Sequence, residues 1–514
     1  MQSVTSGKII LGDRQVSTSD ILRQSAQAAQ GLHSDFGVGD GDTVAILMRN
    51  DIAFLEATFA ADYLGAYAVP VNWHFREDEI SYILTDSNAR VLIAHADLLI
   101  RLDRSLLPDG ISVLVVPTPV ELQQVFDLAP ADCAVTADDT GWDDWLASFA
   151  PWEGQPSAER SSMIYTSGTT GRPKGVRRAP MAAEHHQLMK MRQNRIGAGT
   201  DQVNLINGPM YHSAPNAQAL SVVRGGGTVV IQPKFDPEGL LQLIERHRVS
   251  HMHMVPTMFV RLIKLPEDIR QKYDLSSLEW IIHAAAPCPP DVKREMIRWW
   301  GPIINEYYGA TEIGMVVFCT TADWLTHPGT VGSKLPGVEL KILDENRQEC
   351  GIGEVGEIFA HFAGFTDFTY QNNAEEHGAN AWQGLFSVGD MGYLDGDGFL
   401  YISDRKKDMV ISGGVNIYPT EIEAVLLSHP QIRDCAVFGI PDAEFGESLA
   451  AIVEPASPGA LTPESVKQYV RQNLAGYKVP RLVEFRSDLP REDSGKIRKR
   501  LLRQKYWEDA GRSI

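Results

Sequence analysis

Cysteine is scarce in this chain of 514 residues, with only five residues spread over its length. No two of them form a C-x-x-C pair, so the sequence indicates neither a zinc site nor a disulfide framework. A reduced, cytoplasmic compartment is therefore the expected setting. Positive charge is also in deficit, since the formal net charge is −19. This deficit argues against broad nucleic-acid binding, which needs a basic surface.

A long uninterrupted hydrophobic run is missing as well. The most apolar stretch, Ile52–Val71, is interrupted by Glu56 and Asp62 and closed by Pro70. It predicts a core helix followed by a strand, and we expect no integral membrane segment. The N-terminus has no basic start before an apolar run, so no signal peptide is expected.

The rest of the composition, 44% hydrophobic and 22% charged, is typical of a soluble globular protein. The length suggests about two to four structural units. Helix-like and strand-like segments alternate through the first part of the chain and again later, which predicts parallel sheets with crossover helices. The segments are Ser19–Phe36, Thr43–Met48, Asp51–Leu64, Ala66–Val71, Phe75–Asp86 and Ala89–Ala94, then Thr228–Ile231, Pro237–His247 and His251–Pro256.

The pattern changes after about residue 325, where short strands and turns dominate. Beyond Arg405 an αβ pattern returns, and the polar run at residues 403–408 is typical of a hinge. We therefore predict an α/β fold with two domains. Residues 1–404 form a large N-terminal domain, with two parallel-sheet αβ halves and a small β-rich subdomain. Residues 405–514 form a small, mobile α+β domain.

The segment Tyr165–Gly175 has the composition of a phosphate-binding loop. It holds three glycines, three threonines, a serine and Lys174, after a strand-like Ser161–Tyr165. Glycines let backbone N–H groups turn toward an anion, hydroxyls donate hydrogen bonds and the lysine adds charge. The G-x-x-x-x-G-K-[ST] spacing is absent, which disfavours a P-loop kinase or ATPase.

This loop resembles the signature of adenylate-forming enzymes: acyl-CoA synthetases, luciferases and peptide-synthetase adenylation domains. Further segments agree in the same order from about residue 20 to 505. The resemblance implies activation of a carboxylic acid by ATP as acyl-AMP, with coenzyme A as the expected acceptor. It assigns ATP binding to Thr166, Ser167, Gly168, Thr169, Thr170, Gly171 and Lys174.

Asn305–Glu312 is the next segment that resembles the family. An aromatic ring stacks well on a purine, a threonine hydroxyl binds phosphate and a carboxylate holds Mg²⁺. The resemblance gives these roles to Tyr308, Thr311 and Glu312, with Gly309 beside them. An isolated Thr-Glu pair alone more often marks a helix cap.

Asp390 follows Gly389 and resembles the family aspartate that accepts both ribose hydroxyls. Val388 stands where relatives usually carry threonine, which removes one hydroxyl and keeps the acid. Arg405 is expected to contact the ribose or the phosphates. A lone Gly-Asp more often marks a turn.

Three elements toward the C-terminus match the part of the family that alternates between two positions. Lys407 falls on the hinge position, and Gly413 and Gly414 would let a thin pantetheine arm pass. Lys496 matches the adenylation lysine, whose ammonium would neutralise charge at the α-phosphate. The basic stretch after it is either a solvated helical face or a contact for the phosphates of coenzyme A, and includes Lys499, Arg500 and Arg503.

Pro209–Pro215 and Val255–Leu262 resemble the acyl-pocket segments of ligases for medium-chain, long-chain or bulky acids. His212 is expected near the activated carboxyl group, and backbone of His283–Cys288 is expected to face adenine and the acyl tail. His283 replaces a small residue there, which leaves the pocket shape open. The expected pocket residues are Tyr211, His212, Met258, Ala285 and Ala286, with Phe259 either in the wall or in the core.

The overall prediction is a two-step enzyme that uses ATP, Mg²⁺ and coenzyme A on an apolar or bulky carboxylic acid. Lys496, Glu312, Thr166 and Lys174 are its expected catalytic residues, and Glu312 is its expected metal ligand. Three alternatives stay open: an amide synthetase with an amine acceptor, a loader of a carrier protein, and an ATP-binding regulatory module with a decayed site. A homodimer is also open.

Overall fold

A computed structural model of the chain describes residues 7–154, 157–166, 172–181, 185–195, 202–491 and 497–509. It has the predicted mixed α/β architecture, with parallel sheets and a C-terminal domain. Within these ranges no helix combines the length and the apolar character needed to cross a membrane.

The first αβ half is built on a four-stranded parallel sheet. Its strands, in spatial order, are Tyr67–Pro70, Thr43–Leu47, Val91–His95 and Ser112–Val116. The strand Thr43–Leu47 is buried throughout, because helices cover both faces of such a sheet. The helices of this half are Thr18–Phe36, Ile52–Tyr63, Glu77–Asp86, Ala96–Leu99, Val120–Phe126 and Trp142–Ala147.

Local sequence explains where the first two helices begin. The Ser17 hydroxyl accepts a hydrogen bond from Asp20 N, and the Asp51 carboxylate accepts one from Ile52 N. The helix Ile52–Tyr63 is buried over most of its length and is followed by the strand Tyr67–Pro70. The prediction of a core helix and a strand for this apolar stretch is therefore confirmed.

The second αβ half and the β-rich region share one sheet, which has fifteen strands among the described residues. Six strands are parallel: Lys8–Leu11, Thr228–Ile231, Val203–Ile206, His251–Met254, Trp280–His283 and Ile304–Ala310. The others are Arg14–Ser17, Gly314–Cys319, Gly332–Lys334, Val338–Leu343, Gly356–Phe362, Ala381–Trp382, Leu385–Phe386, Asp390–Leu394 and Phe399–Arg405. The predicted β-rich subdomain is thus a continuation of the second parallel sheet.

Helices alternate with the strands of this region along the chain. They are His186–Arg195, Ser213–Arg224, Pro237–His247, Pro256–Ile263, Glu267–Lys272, Pro290–Trp300, Thr321–Thr326 and Ala374–Asn380. A separate three-stranded antiparallel sheet joins Ile164–Thr166, Lys174–Arg178 and Phe368–Tyr370. The strand before the predicted phosphate loop therefore begins at Ile164, three residues after the predicted start at Ser161, and ends at Thr166.

The C-terminal part has its own five-stranded sheet and helices. Its strands are Val410–Ser412, Val415–Ile417, Ile432–Asp442, Gly446–Pro455 and Leu482–Phe485, and its helices are Pro419–Leu427, Pro463–Asn473 and Lys499–Asp509. The predicted hinge at residues 403–408 begins inside the last strand of the large sheet, Phe399–Arg405, and ends before the first strand of the small one, Val410–Ser412. The division into residues 1–404 and 405–514 stays a prediction.

Candidate active site

A large cleft opens at the carboxyl ends of the parallel strands of the large sheet and extends to the C-terminal domain. Ligands of open α/β sheets bind at this edge because the loops that follow the strands converge there. The predicted site residues that line the cleft are Thr166, Lys174, Tyr211, His212, Met258, Ala285, Ala286, Tyr308, Gly309, Thr311, Glu312, Asp390, Arg405 and Lys407.

Asp390 lies between two of the predicted nucleotide ligands. Its Oδ2 accepts a hydrogen bond of 2.8 Å from the Tyr308 hydroxyl, and its Oδ1 lies 3.4 Å from Arg405 Nε. Asp390 and Arg405 are paired neighbours on adjacent strands, so the backbone register sets this contact. Burial, and then the Asp390 charge, raises the pKa of Tyr308, which keeps the phenol a donor.

Glu312 is the carboxylate of a small hydroxyl-rich cluster. Its Oε1 accepts hydrogen bonds of 3.1 Å from the Thr166 hydroxyl and of 3.1 Å from the Tyr370 hydroxyl. Thr311 directs its hydroxyl to Ser213 Oγ at 3.1 Å. Carboxylate and hydroxyl oxygens are the hard ligands that Mg²⁺ prefers, so these residues fit that ion.

The metal site would not be an all-protein cage. No group of three or more His, Cys, Asp or Glu side chains suited to a metal occurs in the part of the chain that the structure describes. In such a site Glu312 would supply one carboxylate, and the remaining ligands would come from phosphate and water, as is usual for Mg²⁺.

Arg178 was missed by the sequence analysis, although it holds the turn that carries Thr311 and Glu312. Its guanidinium donates to the Thr311 carbonyl at 2.6 Å, to the Glu312 carbonyl, and to the Thr366 carbonyl at 2.8 Å. It shares a strand face with Lys174, four residues earlier. The sequence does contain one signal for Arg178: a basic residue four positions after Lys174 in a strand lies on the same face.

Lys174 is nearly buried, with 8% of its side chain exposed, and forms an ion pair with Glu376. Its Nζ also lies 5.4 Å from the centre of the Tyr370 ring. Burial lowers the pKa of Lys174 while the Glu312 charge opposes that shift. Tyr370 and Glu376 lie some two hundred residues away in sequence, and no local pattern in the sequence marks them.

The predicted acyl wall is fixed from the first αβ half. Asn50 Nδ2 donates to the Gly208 carbonyl at 2.9 Å, and Asn50 Oδ1 accepts from Met210 N at 2.7 Å. Tyr211 packs edge-on against Trp73, with ring centres 4.7 Å apart, and lies against His212. Met258 lines the cleft beside them, whereas Phe259 is fully buried in the core.

His283 is the last residue of the strand Trp280–His283, and its position bears on the shape of the pocket, which the sequence left open. This side chain has no exposure and lies 3.4 Å from the Glu306 carboxylate. The loop that follows presents Ala284, Ala285 and Ala286 to the cleft instead. Ala285 has a φ of 74°, a left-handed conformation that favours glycine.

Lys407 also faces the cleft, and its pKa is lowered by burial and then by the charge of Arg405. A hydrogen bond also joins the large sheet region to the C-terminal sheet at the cleft: Lys264 Nζ donates to the Arg433 carbonyl at 2.6 Å. Lys499 pairs with Glu423 at 2.8 Å. This contact makes Lys499 part of the small domain's own packing.

The structure does not bring every predicted residue to the cleft. Gly413 and Gly414 form the turn between the strands Val410–Ser412 and Val415–Ile417, with φ of 57° and 79°. They are absent from the cleft lining. Ser167, Gly168, Thr169, Thr170, Gly171 and Lys496 lie outside the described residues.

Comparison with known proteins agrees with this geometry. The family described as AMP-binding enzyme matches residues 3–366, and the AMP-binding enzyme C-terminal domain matches residues 421–496. A feruloyl-CoA synthase of Amycolatopsis sp is 32% identical over 503 residues, which cover 96% of this chain and 95% of that protein.

Solved structures match over almost the full length. ATP-bound MatB from Rhodopseudomonas palustris is 26% identical with a TM-score of 0.83, covering 98% of this chain and 97% of its own. The amide bond synthetase McbA from Marinactinospora thermotolerans is 25% identical with the same TM-score and the same coverage.

The α/β fold with its C-terminal domain, and the gathering of the predicted nucleotide ligands in one cleft, are those of an enzyme that activates carboxylic acids as adenylates. Two of its regions carry the matching domain signatures, one in each part of the chain. The chain belongs to the AMP-binding enzyme family, the adenylate-forming superfamily. It is an ATP-dependent, AMP-forming acid–thiol ligase.

Proposed function

We propose that the chain joins a carboxylic acid to coenzyme A in two half-reactions. A carboxylate oxygen of the acid attacks the α-phosphorus of ATP, and the bond to the β-phosphate oxygen breaks to release pyrophosphate. The thiol sulfur of coenzyme A then attacks the acyl carbon, loses its proton to solvent, and displaces AMP. The observation that carries this proposal is the convergence of Thr166, Tyr308, Glu312 and Asp390 on one cleft.

The nucleotide occupies the part of the cleft around Asp390. Tyr308 stacks on the adenine while Asp390 accepts the ribose hydroxyls, and Arg405 adds positive charge to the same region. The contacts among these three side chains support this assignment, because they hold the acceptor and its neighbours in place before the nucleotide arrives. Gly309 follows Tyr308 at the cleft, and its lack of a Cβ lets the backbone of Gly314 approach this strand closely.

Glu312 binds Mg²⁺ together with the phosphates, and Thr166, Thr311 and Lys174 donate to phosphate oxygens. Bound Mg²⁺ supplies charge neutralisation on the polyphosphate. The hydrogen bonds from Thr166 and Tyr370 to Glu312 orient its carboxylate for that role. Ser167, Gly168, Thr169, Thr170 and Gly171 complete the phosphate contacts in this proposal.

The small domain acts in both half-reactions. Lys496 lies at the α-phosphate during adenylation, and rotation about Lys407 then replaces it with the Gly413–Gly414 turn. The position of Lys407 at the cleft, between the large sheet and the small one, supports a hinge there. Arg500 and Arg503 are available for the phosphates of coenzyme A.

The acid is apolar or bulky, and its activated carboxyl group lies near His212. Tyr211, Met258, Ala285 and Ala286 border the space that its tail would occupy. Small alanine side chains and apolar or aromatic ones are the kind of lining that an apolar acid needs. A relative whose name gives feruloyl-CoA as its product supports an aromatic acid. A cytoplasmic location and a homodimer stay predictions of the sequence.

A second acceptor class has one observation in its favour. The similarity to an amide bond synthetase extends over 98% of this chain. An amine would then attack the acyl carbon of the same acyl-AMP and displace AMP. Adenylation and its residues are identical in the two cases, so only the acceptor distinguishes them.

A panel of aromatic and aliphatic acids tests the proposal through pyrophosphate release, with MgATP and with coenzyme A, an amine, or no acceptor. We expect at least one bulky acid to release pyrophosphate and to yield acyl-CoA by mass. If the main product is an amide, the proposed acceptor changes from coenzyme A to an amine. Release with no bulky acid but with aliphatic ones would overturn the acid class, and release of no pyrophosphate with any acid would overturn the proposed activation step.

A further inference from the structure

The ion pair between Lys174 and Glu376 lies at the nucleotide site, and the reaction described above gives Glu376 no role. Glu376 belongs to the first turn of the helix Ala374–Asn380, and its side chain is 15% exposed. Asn373 Nδ2 donates to its second oxygen at 3.0 Å, while Asn373 Oδ1 accepts from the Glu376 N–H at 3.3 Å. The carboxylate is therefore held toward Lys174 by its own helix cap.

The charges around Lys174 are unfavourable for an incoming polyphosphate. The carboxylate of Glu376 pairs with this ammonium group and the charge of Glu312 also acts on it, while Lys407 is a cation that acts in the opposite sense. The phosphates of ATP need the same ammonium that Glu376 neutralises. Two anions that compete for one buried cation bind in exchange with each other.

We infer that Glu376 is an internal competitor of the nucleotide phosphates for Lys174. It holds the ammonium when the site is empty, yields it to the β- and γ-phosphates of ATP, and takes it back as pyrophosphate leaves. The residue thus weakens the binding of substrate ATP and, by the same interaction, favours release of the product. This role rests on the proposed adenylation step and deepens it.

The physical consequence is a trade between affinity and release. Tight binding of ATP that is equally strong in the transition state does not lower the barrier of the chemical step, so weakening it at Lys174 costs the chemistry little. Removing the charge of Glu376 frees Lys174 for phosphate in every bound state. Affinity for ATP and affinity for pyrophosphate should therefore rise together.

The test is Glu376→Gln, which keeps shape and hydrogen bonding and removes the charge. We expect direct calorimetric binding of MgATP and of magnesium pyrophosphate to tighten by about 3- to 10-fold each. Inhibition of the full reaction by pyrophosphate should strengthen by a similar factor. Glu375→Gln is the matched control, since this neighbour carries the same charge and is exposed. Its constants should stay within about twofold of the unaltered chain.

A second background separates competition from other effects. In Lys174→Met, the contested ammonium is gone, so adding Glu376→Gln should no longer tighten either ligand. Weaker binding in Glu376→Gln would overturn the inference and indicate a ligand of the metal or nucleotide. Equal tightening in both backgrounds, or constants that match those of Glu375→Gln, would overturn it too. Because binding needs neither acid nor acceptor, these results stay readable if the proposed acid or acceptor is wrong.

Discussion

Lys293 forms a buried ion pair with Glu306, which is on the strand that carries Tyr308, with 2.5 Å between Nζ and Oε2. Lys293 has no exposure and the Glu306 side chain has 6%. The pair joins the helix Pro290–Trp300 to the strand Ile304–Ala310, and His283 lies against the same carboxylate. It thus ties together two segments that reach the cleft.

Breaking this pair should be costly. Lys293→Met leaves the Glu306 carboxylate buried without its partner, and we expect a loss of about 3–5 kcal/mol of unfolding free energy, measured in urea. Lys293→Met with Glu306→Leu should recover much of it, because no charge is then buried. As control, Lys341→Met disrupts an exposed pair with Glu349 and should cost under about 1 kcal/mol. Similar losses in both single variants would contradict the expectation.

Asp390→Asn should raise KM for ATP more than it lowers kcat. Loss of a charged acceptor costs about 1.5–3 kcal/mol, which corresponds to a rise in KM for ATP of roughly 10- to 100-fold. The measurement is pyrophosphate release against ATP concentration with saturating acid. Asp397→Asn, on a carboxylate that is 77% exposed, should leave KM unchanged. An unchanged KM in Asp390→Asn would remove the ribose role.

Ala285→Gly should stabilise the chain, because alanine at a φ of 74° is strained and glycine is not. Set against the greater freedom of unfolded glycine, the net gain should be about 0.5–1 kcal/mol, measured by urea unfolding. Ala284→Gly, at the neighbouring buried position without a positive φ, should destabilise instead. The same sign for both variants would show that strain is not the cause.

Glu56 should make stability fall as pH rises. Burial raises the pKa of this carboxyl from the ordinary 4.5 to about 7, although the Trp142 indole donates to it at 3.0 Å. The folded chain thus binds a proton that the unfolded chain has lost between these values, so stability decreases from pH 4.5 to pH 7. Glu56→Gln should remove that slope and add up to roughly 3 kcal/mol at pH 8. Unfolding curves across this range, with exposed Glu339→Gln as control, provide the measurement.

Lys496→Ala should separate the two half-reactions. Loss of the ammonium at the α-phosphate should abolish ATP–pyrophosphate exchange, because the transition-state charge is no longer neutralised. Thiolysis of supplied acyl-AMP should survive, since that step follows the rotation of the small domain. An equal loss of both activities would contradict alternation about Lys407.

Much of the architecture follows from patterns within single segments. The short continuous apolar run of the strand Thr43–Leu47 and the helical spacing of apolar residues in Pro237–His247 are signals within single segments, so the α/β class was predictable. The continuity of the large sheet was not, because it depends on the hairpin between Ile304–Ala310 and Gly314–Cys319 and on distant strands that pair beyond it. Pairing across long sequence separations leaves no local periodic signal.

The candidate site divides in the same way. Thr166, Glu312 and Asp390 belong to compact motifs whose residue types match a chemistry, and the structure places them in one cleft. Glu376 and Tyr370 act on that cleft through tertiary contacts alone. His283 shows the opposite limit: its position in a motif suggested the pocket, and the alternation of side chains along its strand directs it into the core.

The strand Lys8–Leu11 lies beside Thr228–Ile231, 220 positions further along the chain. The hairpin with Arg14–Ser17 can form at once, but during translation at about 5–20 residues per second the other edge of this strand waits roughly 10–40 s for Thr228–Ile231. The strand can therefore join the large sheet only after the whole first αβ half has emerged. Until then its outer edge carries unpaired backbone N–H and C=O groups, which other chains can pair with.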